Sequence, residues 1–365
     1  MADLPAQEDA AAAAAIQEKV KLALSVGEEC TGAEDLAALF KNKPTPPICY
    51  DGFEPSGRVH IAQGVMKALN VNKLTSSGCV FKFWVADWFA QLNNKMGGDL
   101  HKIQTVGRYM IEVWKAVGMN LNQVEFLWSS HEINSRAEEY WKLVFDIARR
   151  NNLPRILRQV TCSQIMGRTN PKELSVSAIM YACMQCADVF FLKADICQLG
   201  LDQRKVNMLA REYASATKRK FKPIILSHHM LPGLKEGQLK MSKSDPESAI
   251  FMEDEEDDVN RKIAGAFCPN VVEGNPCLEY VKYVVIPWHG RFELCRSEER
   301  GGNLTYESAE KLNGDFESGL ISSDEIKTSL AKSLNLILQP VRDHFKHNAD
   351  ARDLLAQVKS FRVTR

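Results

Sequence analysis

The chain has 365 residues, with 46 basic and 46 acidic side chains balanced to a formal net charge of zero and 45% apolar positions. That composition excludes a collagen, a disordered tail and a bulk polycation, and fits a water-soluble chain of two or three domains. A zero sum also removes the strongest signature of a nucleic-acid binder, unless basic residues cluster in one place and acids offset them elsewhere.

From the N-terminus, Asp3, Glu8 and Asp9 precede an alanine run. Early acids argue against a secretory or transit peptide, and residues 1–40 read as an N-terminal helical segment. ICYDGF (48–53) reads as a strand, 59–74 as a helix ending at the turn residues Ser76, Ser77 and Gly78, and CVFKFWVAD (79–87) as a strand covered on both faces. A helix near 99–117, a strand at 124–129, helical segments to about 192, and apolar runs at 194–200 and 222–230 continue the alternation. Strands alternating with helices imply an α/β fold with a parallel sheet, here over 41–234 with a helical insertion. A loop rich in Gly, Lys and Ser and the acidic run 253–258 form a linker over 235–264, and 265–365 reads as a mainly helical C-terminal domain. Ser322 and Glu325 have the spacing of a capping box that starts its long helix.

No uncharged apolar run approaches the ~18 residues of a membrane span, so no membrane association is expected. The ten cysteines are scattered among apolar segments, as in a reducing compartment, and a cytoplasmic location is expected. Cys183 and Cys186 form a CxxC without a second pair, and His228-His229 lack a third ligand, so no protein-bound zinc is expected.

Three features carry chemistry. The small-residue stretch Gly52 to Gly64 runs from the end of the first strand of the alternating region into a helix, where free N–H groups and the helix dipole attract anions; His60 and Gln63 are expected on one face of its first turn. Lys240-Met241-Ser242-Lys243-Ser244 places two lysines and two hydroxyls in a loop flanked by Gly237 and Pro246, which suits a polyphosphate. Tyr181, Gln185 and Asp188 fall at i, i+4 and i+7 in an otherwise apolar helix. Such a stripe is either an internal hydrogen-bond network or a pocket for a polar small molecule, with Asp202-Gln203 as a further contributor.

His60-Ile61-Ala62-Gln63 and the complete pentapeptide at 240–244 resemble the HIGH and KMSKS signatures of class I aminoacyl-tRNA synthetases. Within that class the chain is similar, from about residue 45 to its end, to cytosolic tyrosyl-tRNA synthetases of the eukaryotic and archaeal type. The resemblance implies a Rossmann-like catalytic domain, a C-terminal helical anticodon-binding domain and a homodimer. It implies that tyrosine is activated with ATP, accompanied by Mg²⁺, and transferred to tRNA(Tyr). By residue, it implies Tyr50 and Asp188 at the phenol of tyrosine, and Tyr181, Gln185 and Gln203 around the rest of that substrate. Gly52, His60, Gln63, Gly64 and Asp202 would surround ATP, the loop of Lys240, Met241, Ser242, Lys243 and Ser244 would close over its phosphates, and His60, Lys240 and Lys243 would be catalytic.

Arg204 would read the first acceptor pair of the tRNA. Three positions depart from the family pattern. Ala62-Gln63 replaces Gly-His, Arg300 stands where an aromatic residue precedes Gly301-Gly302, and Ser322-Ser323-Asp324-Glu325 replaces His-Pro-x-Asp. Arg300 stacking on a base and Glu325 as the acid would restore the anticodon contacts. Between Lys327 and Arg365, eight Lys and Arg stand against three Asp, a local excess suited to phosphates. The alternatives are a tryptophanyl-tRNA synthetase, another adenylating enzyme of the same superfamily, and a catalytically silent RNA-binding paralogue.

Overall fold

The computed structural model describes residues 4–162, 175–241 and 245–361. They divide into two compact units, the first built from residues up to Pro55, Asn70–Ile103 and Asn120–His229, the second from Ser56–Leu69, Gln104–Met119 and Met230 onward. Residues 56–69 and 104–119 therefore group with the C-terminal part of the chain, although in sequence they lie between strands of the sheet.

In chain order the elements are α1 (Leu4–Leu24), β1 (Glu29–Thr31), α2 (Leu36–Asn42), β2 (Ile48–Phe53), a π-helical stretch (Ala62–Met66) running into α3 (Lys67–Ser76), β3 (Val80–Val85), α4 (Asp87–Leu92) and α5 (Leu100–Ala116). Then come β4 (Val124–Trp128), α6 (Ser129–Ser135), α7 (Ala137–Arg150), α8 (Leu153–Cys162), α9 (Val176–Phe191), β5 (Ile196–Gly200), α10 (Arg204–Ala216) and β6 (Ile224–His228). The first unit is organised on one sheet of order β1-β6-β5-β2-β3-β4, parallel throughout except for β1, which runs antiparallel on β6. The expected α/β fold with a parallel sheet is thus present, and each strand expected between 48 and 230 forms within a residue or two. The three-residue strand β1, inside the segment read as helical, was not expected; it covers the outer edge of β6.

β3 illustrates why the sheet forms. Phe81, Phe83, Trp84 and Val85 are all buried, so both faces of this strand are covered, as in a sheet flanked by helices. Where β3 ends, Asp87 is fully buried and accepts from the Ser129 hydroxyl (2.7 Å), the Ser130 amide (2.9 Å) and the Ser130 hydroxyl (2.6 Å), tying the start of α4 to the start of α6.

The second unit adds α11 (Glu256–Ala264), α12 (Pro276–Tyr280), a second π-helical stretch (Val281–Val285), α13 (Ile286–His289), the hairpin β7 (Phe292–Leu294) and β8 (Leu304–Tyr306), α14 (Ala309–Glu317), α15 (Ser323–His347) and α16 (Ala349–Ser360). Its organising element is α15, which buries Ile326, Leu330, Leu334, Leu338, Val341 and Phe345 along one stripe. The expected capping box is formed: the Ser322 hydroxyl accepts from the Glu325 amide, and the Glu325 carboxylate accepts from the Ser322 amide at 2.8 Å. Among the described residues no helix is long and apolar enough to cross a membrane.

Asp87→Ala leaves two serines and an amide without their buried acceptor. It is expected to destabilise the chain by about 3 kcal/mol, read as a lower midpoint in urea unfolding, with Asp87→Asn recovering part of the loss.

Candidate active site

β2 and β5 are neighbours near the middle of the sheet, and the chain proceeds from β2 outward through β3 and β4, then returns to β5 and β6 on the other side. Such a reversal of strand order opens a crevice beyond the carboxyl ends of the strands, the usual ligand site of an open α/β sheet. Tyr50 lies on β2 between Cys197 of β5 and Lys82 of β3, and is 1% exposed. Two residues on, Gly52 leaves room for it: a Cβ there would stand 3.1 Å from the Tyr50 hydroxyl. At the end of β5, the turn Leu201–Gln203 leads into α10 and carries Asp202 and Gln203.

α9 supplies the rest. Tyr181, Gln185 and Asp188 are all buried on it, as their i, i+4, i+7 spacing implies. Tyr181 donates to Glu54 Oε1 at 2.7 Å, and the Asn93 amide donates to the same carboxylate at 2.9 and 3.1 Å. Gln185 Nε2 donates to Gln203 Oε1 at 3.2 Å, while Gln185 Oε1 is buried without a partner. Asp188, 1% exposed, accepts from the Tyr140 hydroxyl of α7 at 2.8 Å through Oδ1. Its Oδ2 is buried with no partner.

Burial pushes the Asp188 carboxyl well above its ordinary pKa, the Tyr140 hydroxyl and the Trp84 indole acting the other way. Burial likewise raises the Tyr50, Tyr140 and Tyr181 phenols, reinforced by Asp188 for the first two and by Glu54 for the third. All three therefore stay neutral donors. The first unit thus brings together Tyr50, Gly52, Tyr181, Gln185, Asp188 and Gln203, and adds Glu54, Asn93, Trp84 and Tyr140, which the sequence reading passes over. Glu54 had a legible signal, a carboxylate in the small-residue loop. Tyr140 had none, because a buried tyrosine on an amphipathic helix is indistinguishable in sequence from core.

In the second unit, His60 stands at the start of the helix, immediately before Ile61. It forms an isolated antiparallel bridge with Phe251, flanked by Ile61 N–H to Ile250 O (2.8 Å) and Met252 N–H to Val59 O (2.9 Å). The His60 carbonyl also accepts from the Gln63 and Gly64 amides, both at 2.9 Å, so His60 caps the turn that carries Gln63. The helix opens as a π-turn, a widening frequent at functional sites, and the Trp114 indole donates to the Gln63 carbonyl at 2.8 Å. Gln63 Oε1 is buried without a partner. A Cβ at Gly64 would stand 2.2 Å from the sulfur of the buried Met252, so any larger residue there has to displace that side chain.

Charge holds this pairing. Arg58 is ion-paired with Glu253 and, at 2.8 Å, with Asp254, and its guanidinium lies 4.1 Å over the Phe251 ring. Lys262 reaches the other Asp254 oxygen at 2.6 Å, both side chains being nearly fully buried, and Tyr109 donates to Glu253 at 2.7 Å. The lysine loop enters this structure at both ends: Leu234 N–H bonds to Ser248 O at 2.9 Å, and Lys235 pairs with Asp245 at 2.6 Å. Lys240 is exposed and Met241 buried; Ser242, Lys243 and Ser244 lie outside the described residues.

Of the residues assigned to tRNA, Arg204 pairs with Glu29 of β1 at 2.7 Å. Arg300 and Glu325 meet, with Nε to Oε1 at 2.8 Å. Arg342, counted with the basic C-terminal residues, is half-buried and donates to the Asp254 carbonyl at 2.8 Å, so it belongs to the interior.

A family model described as tRNA synthetases class I (W and Y) matches residues 42–339. The chain is 64% identical over 351 residues to cytoplasmic tyrosine–tRNA ligase 1 of Arabidopsis thaliana, covering 96% of this chain and 90% of that one. The Leishmania major tyrosyl-tRNA synthetase in complex with tyrosinol matches with a TM-score of 0.89 at 53% identity, over 95% of this chain and 52% of that one. The Pyrococcus horikoshii tyrosyl-tRNA synthetase complexed with L-tyrosine matches with a TM-score of 0.86 at 32% identity, over 93% and 99% of the two chains. With its Rossmann-like sheet and its two signature segments, the chain belongs to the class I tRNA synthetases, within their tyrosine–tRNA ligases.

Proposed function

We propose that this chain activates L-tyrosine with ATP to tyrosyl-adenylate, releasing pyrophosphate, and transfers the tyrosyl group to tRNA(Tyr) in the cytoplasm. The observation that carries this reading is Asp188, a buried carboxylate with one oxygen engaged by Tyr140 and the other bare, in the same crevice as Tyr50. A phenolic hydroxyl satisfies that oxygen. Phenylalanine leaves it unpaired, and an unpaired buried group carries its full desolvation penalty.

The reaction needs no protein nucleophile. The tyrosine carboxylate, already ionised at neutral pH, attacks the α-phosphorus of ATP; a P–O bond forms as the bond to pyrophosphate breaks. The adenylate is then attacked by a ribose hydroxyl of the tRNA, and AMP leaves. Catalysis is therefore placement and charge stabilisation. Tyr181, Gln185 and Gln203 hold the amino-acid end; Gly52, Gln63, Gly64 and Asp202 hold ATP; His60, Lys240 and Lys243 act on phosphate charge, with Met241, Ser242 and Ser244 completing the loop. Mg²⁺ arrives with ATP as part of the substrate. The mutual pairing of Arg300 with Glu325 supports their joint work at the anticodon, and Arg204, exposed beside Glu29, is available to the acceptor stem. The functional division is the catalytic part 41–234, the loop and linker 235–264, and the anticodon-binding part 265–365. The enzyme works as a homodimer; exposed Phe145, Leu153, Val176 and Met180 on α7 to α9 support an apolar contact surface.

Tyrosine-dependent ATP–pyrophosphate exchange, with tryptophan and phenylalanine as competitors, tests the reading; exchange with tryptophan alone would overturn it. Asp188→Asn is expected to lower tyrosine kcat/KM by about tenfold to a hundredfold and to narrow the preference over phenylalanine. Because the folded-state pKa of Asp188 is raised, folding takes up protons there, and its unfavourable contribution grows as pH rises above the ordinary carboxylate pKa of about 3.9. The same substitution should therefore leave the unliganded chain at least as stable at neutral pH, with a flatter dependence of its thermal midpoint on pH. Lys243→Ala is expected to lower the adenylation rate by about a hundredfold while tyrosine affinity, measured by equilibrium dialysis, stays unchanged.

A further inference from the structure

Asp188 Oδ2 is not the only bare polar atom in the crevice. Trp84 Nε1 is also buried without a hydrogen-bond partner, on a side chain only 1% exposed. Trp84 sits on β3 directly beside Gly52 of β2, with its ring edge-on to Phe191 at 6.0 Å. Both side chains converge on Gly52: a Cβ there would lie 3.1 Å from the Tyr50 hydroxyl and 3.8 Å from Trp84 Cδ1, the carbon bonded to Nε1. The indole N–H is close enough to the Asp188 carboxylate to favour its charged form as a donor does, but the pair falls short of full hydrogen-bond geometry.

An indole N–H is only a donor, and an ionised carboxylate oxygen is only an acceptor. With only a strained approach to each other, both lack the well-formed partner that buried polar groups almost always have. One small group satisfies the two together: it must accept from the indole and donate to the carboxylate. A phenolic hydroxyl does both.

We propose that Trp84 is a specificity-determining residue, donating Nε1–H to the phenol oxygen of substrate tyrosine while the phenol's own proton is donated to Asp188 Oδ2. This rests on the reading of the crevice as the tyrosine site. It makes recognition two-sided. A ligand that only accepts, such as O-methyltyrosine, leaves Asp188 bare, and phenylalanine leaves Trp84 and Asp188 both bare.

Trp84→Phe removes the donor and keeps an aromatic ring. In ATP–pyrophosphate exchange on the full chain, kcat/KM for tyrosine is expected to fall about tenfold, mainly through KM, while that for phenylalanine holds, so that the ratio contracts about tenfold. A ratio that survives within twofold, or equal losses for both amino acids, would overturn the proposal in favour of packing alone. Should the variant fold poorly, nitrogen-15 labelling of the six tryptophans in the unaltered chain gives an independent reading. One indole N–H resonance should move downfield with tyrosine and not with phenylalanine, and the absence of any such resonance would equally overturn it. If the unaltered chain does not activate tyrosine at all, it is the function that fails; if it does and the ratio is untouched in Trp84→Phe, only the role of Trp84 fails.

Discussion

A carboxylate buried without a countercharge is expensive, and in the first unit the structure is arranged around one. Asp188 has a tyrosine hydroxyl on one oxygen, no well-formed hydrogen bond on the other, and no cation among the groups that set its pKa. In a stability-optimised core such a group would be replaced or paired. Its persistence requires a rigid surround that holds it in place: β2 locked between two parallel neighbours, and α9 with nearly every residue of its second half buried. The unfavourable term is then recovered when a hydroxyl enters, and selectivity follows from the same term, because a ligand without that hydroxyl recovers nothing.

The second unit solves a different problem, joining segments almost two hundred residues apart. Residues 59–61 pair with 250–252 through two backbone hydrogen bonds around the His60–Phe251 bridge, too few to set a register by themselves. Arg58 and Lys262 converging on Glu253 and Asp254 specify it, since a slip of one residue would leave buried charges unpaired. The strand-like segment leaving the lysine loop is thereby attached to the turn that carries His60.

What the sequence discloses follows from which residues interact locally. The stripe of Tyr181, Gln185 and Asp188 is visible because helical period places them on one face and because Gln and Asp are out of place in so apolar a segment. The strands are visible for the same reason of pattern. Tyr140 and Trp84 are not, since their contribution lies in one hydrogen-bonding atom each, and neither helix nor strand pattern distinguishes a tyrosine or tryptophan in the core from one aimed at a ligand. The bridge of His60 to Phe251 is not legible either, because it is a long-range contact and periodicity reports only on near neighbours. The partners of Arg58, inside the small-residue loop, are acids that the linear chain shows only as a charged run.

That run also bears on the balanced charge. Counted in sequence, 253–258 offers six acids to set against basic residues elsewhere. In the fold, Glu253 and Asp254 are buried against Arg58 and Lys262, while Glu256, Asp257 and Asp258 occupy the first turn of α11, where the helix dipole favours negative charge. Internally compensated charges project little field, so the surface is governed by what remains. On α15 and α16 the exposed Lys346, Arg352 and Lys359 remain, and at the start of α15 the half-exposed Arg300 faces Glu325. Glu325 is only 13% exposed while Arg300 is 51% exposed, so the guanidinium is held from one side and keeps the other toward solvent. A net charge of zero therefore does not describe the local surface, because Glu253 and Asp254 are directed inward while Lys346, Arg352 and Lys359 stay exposed.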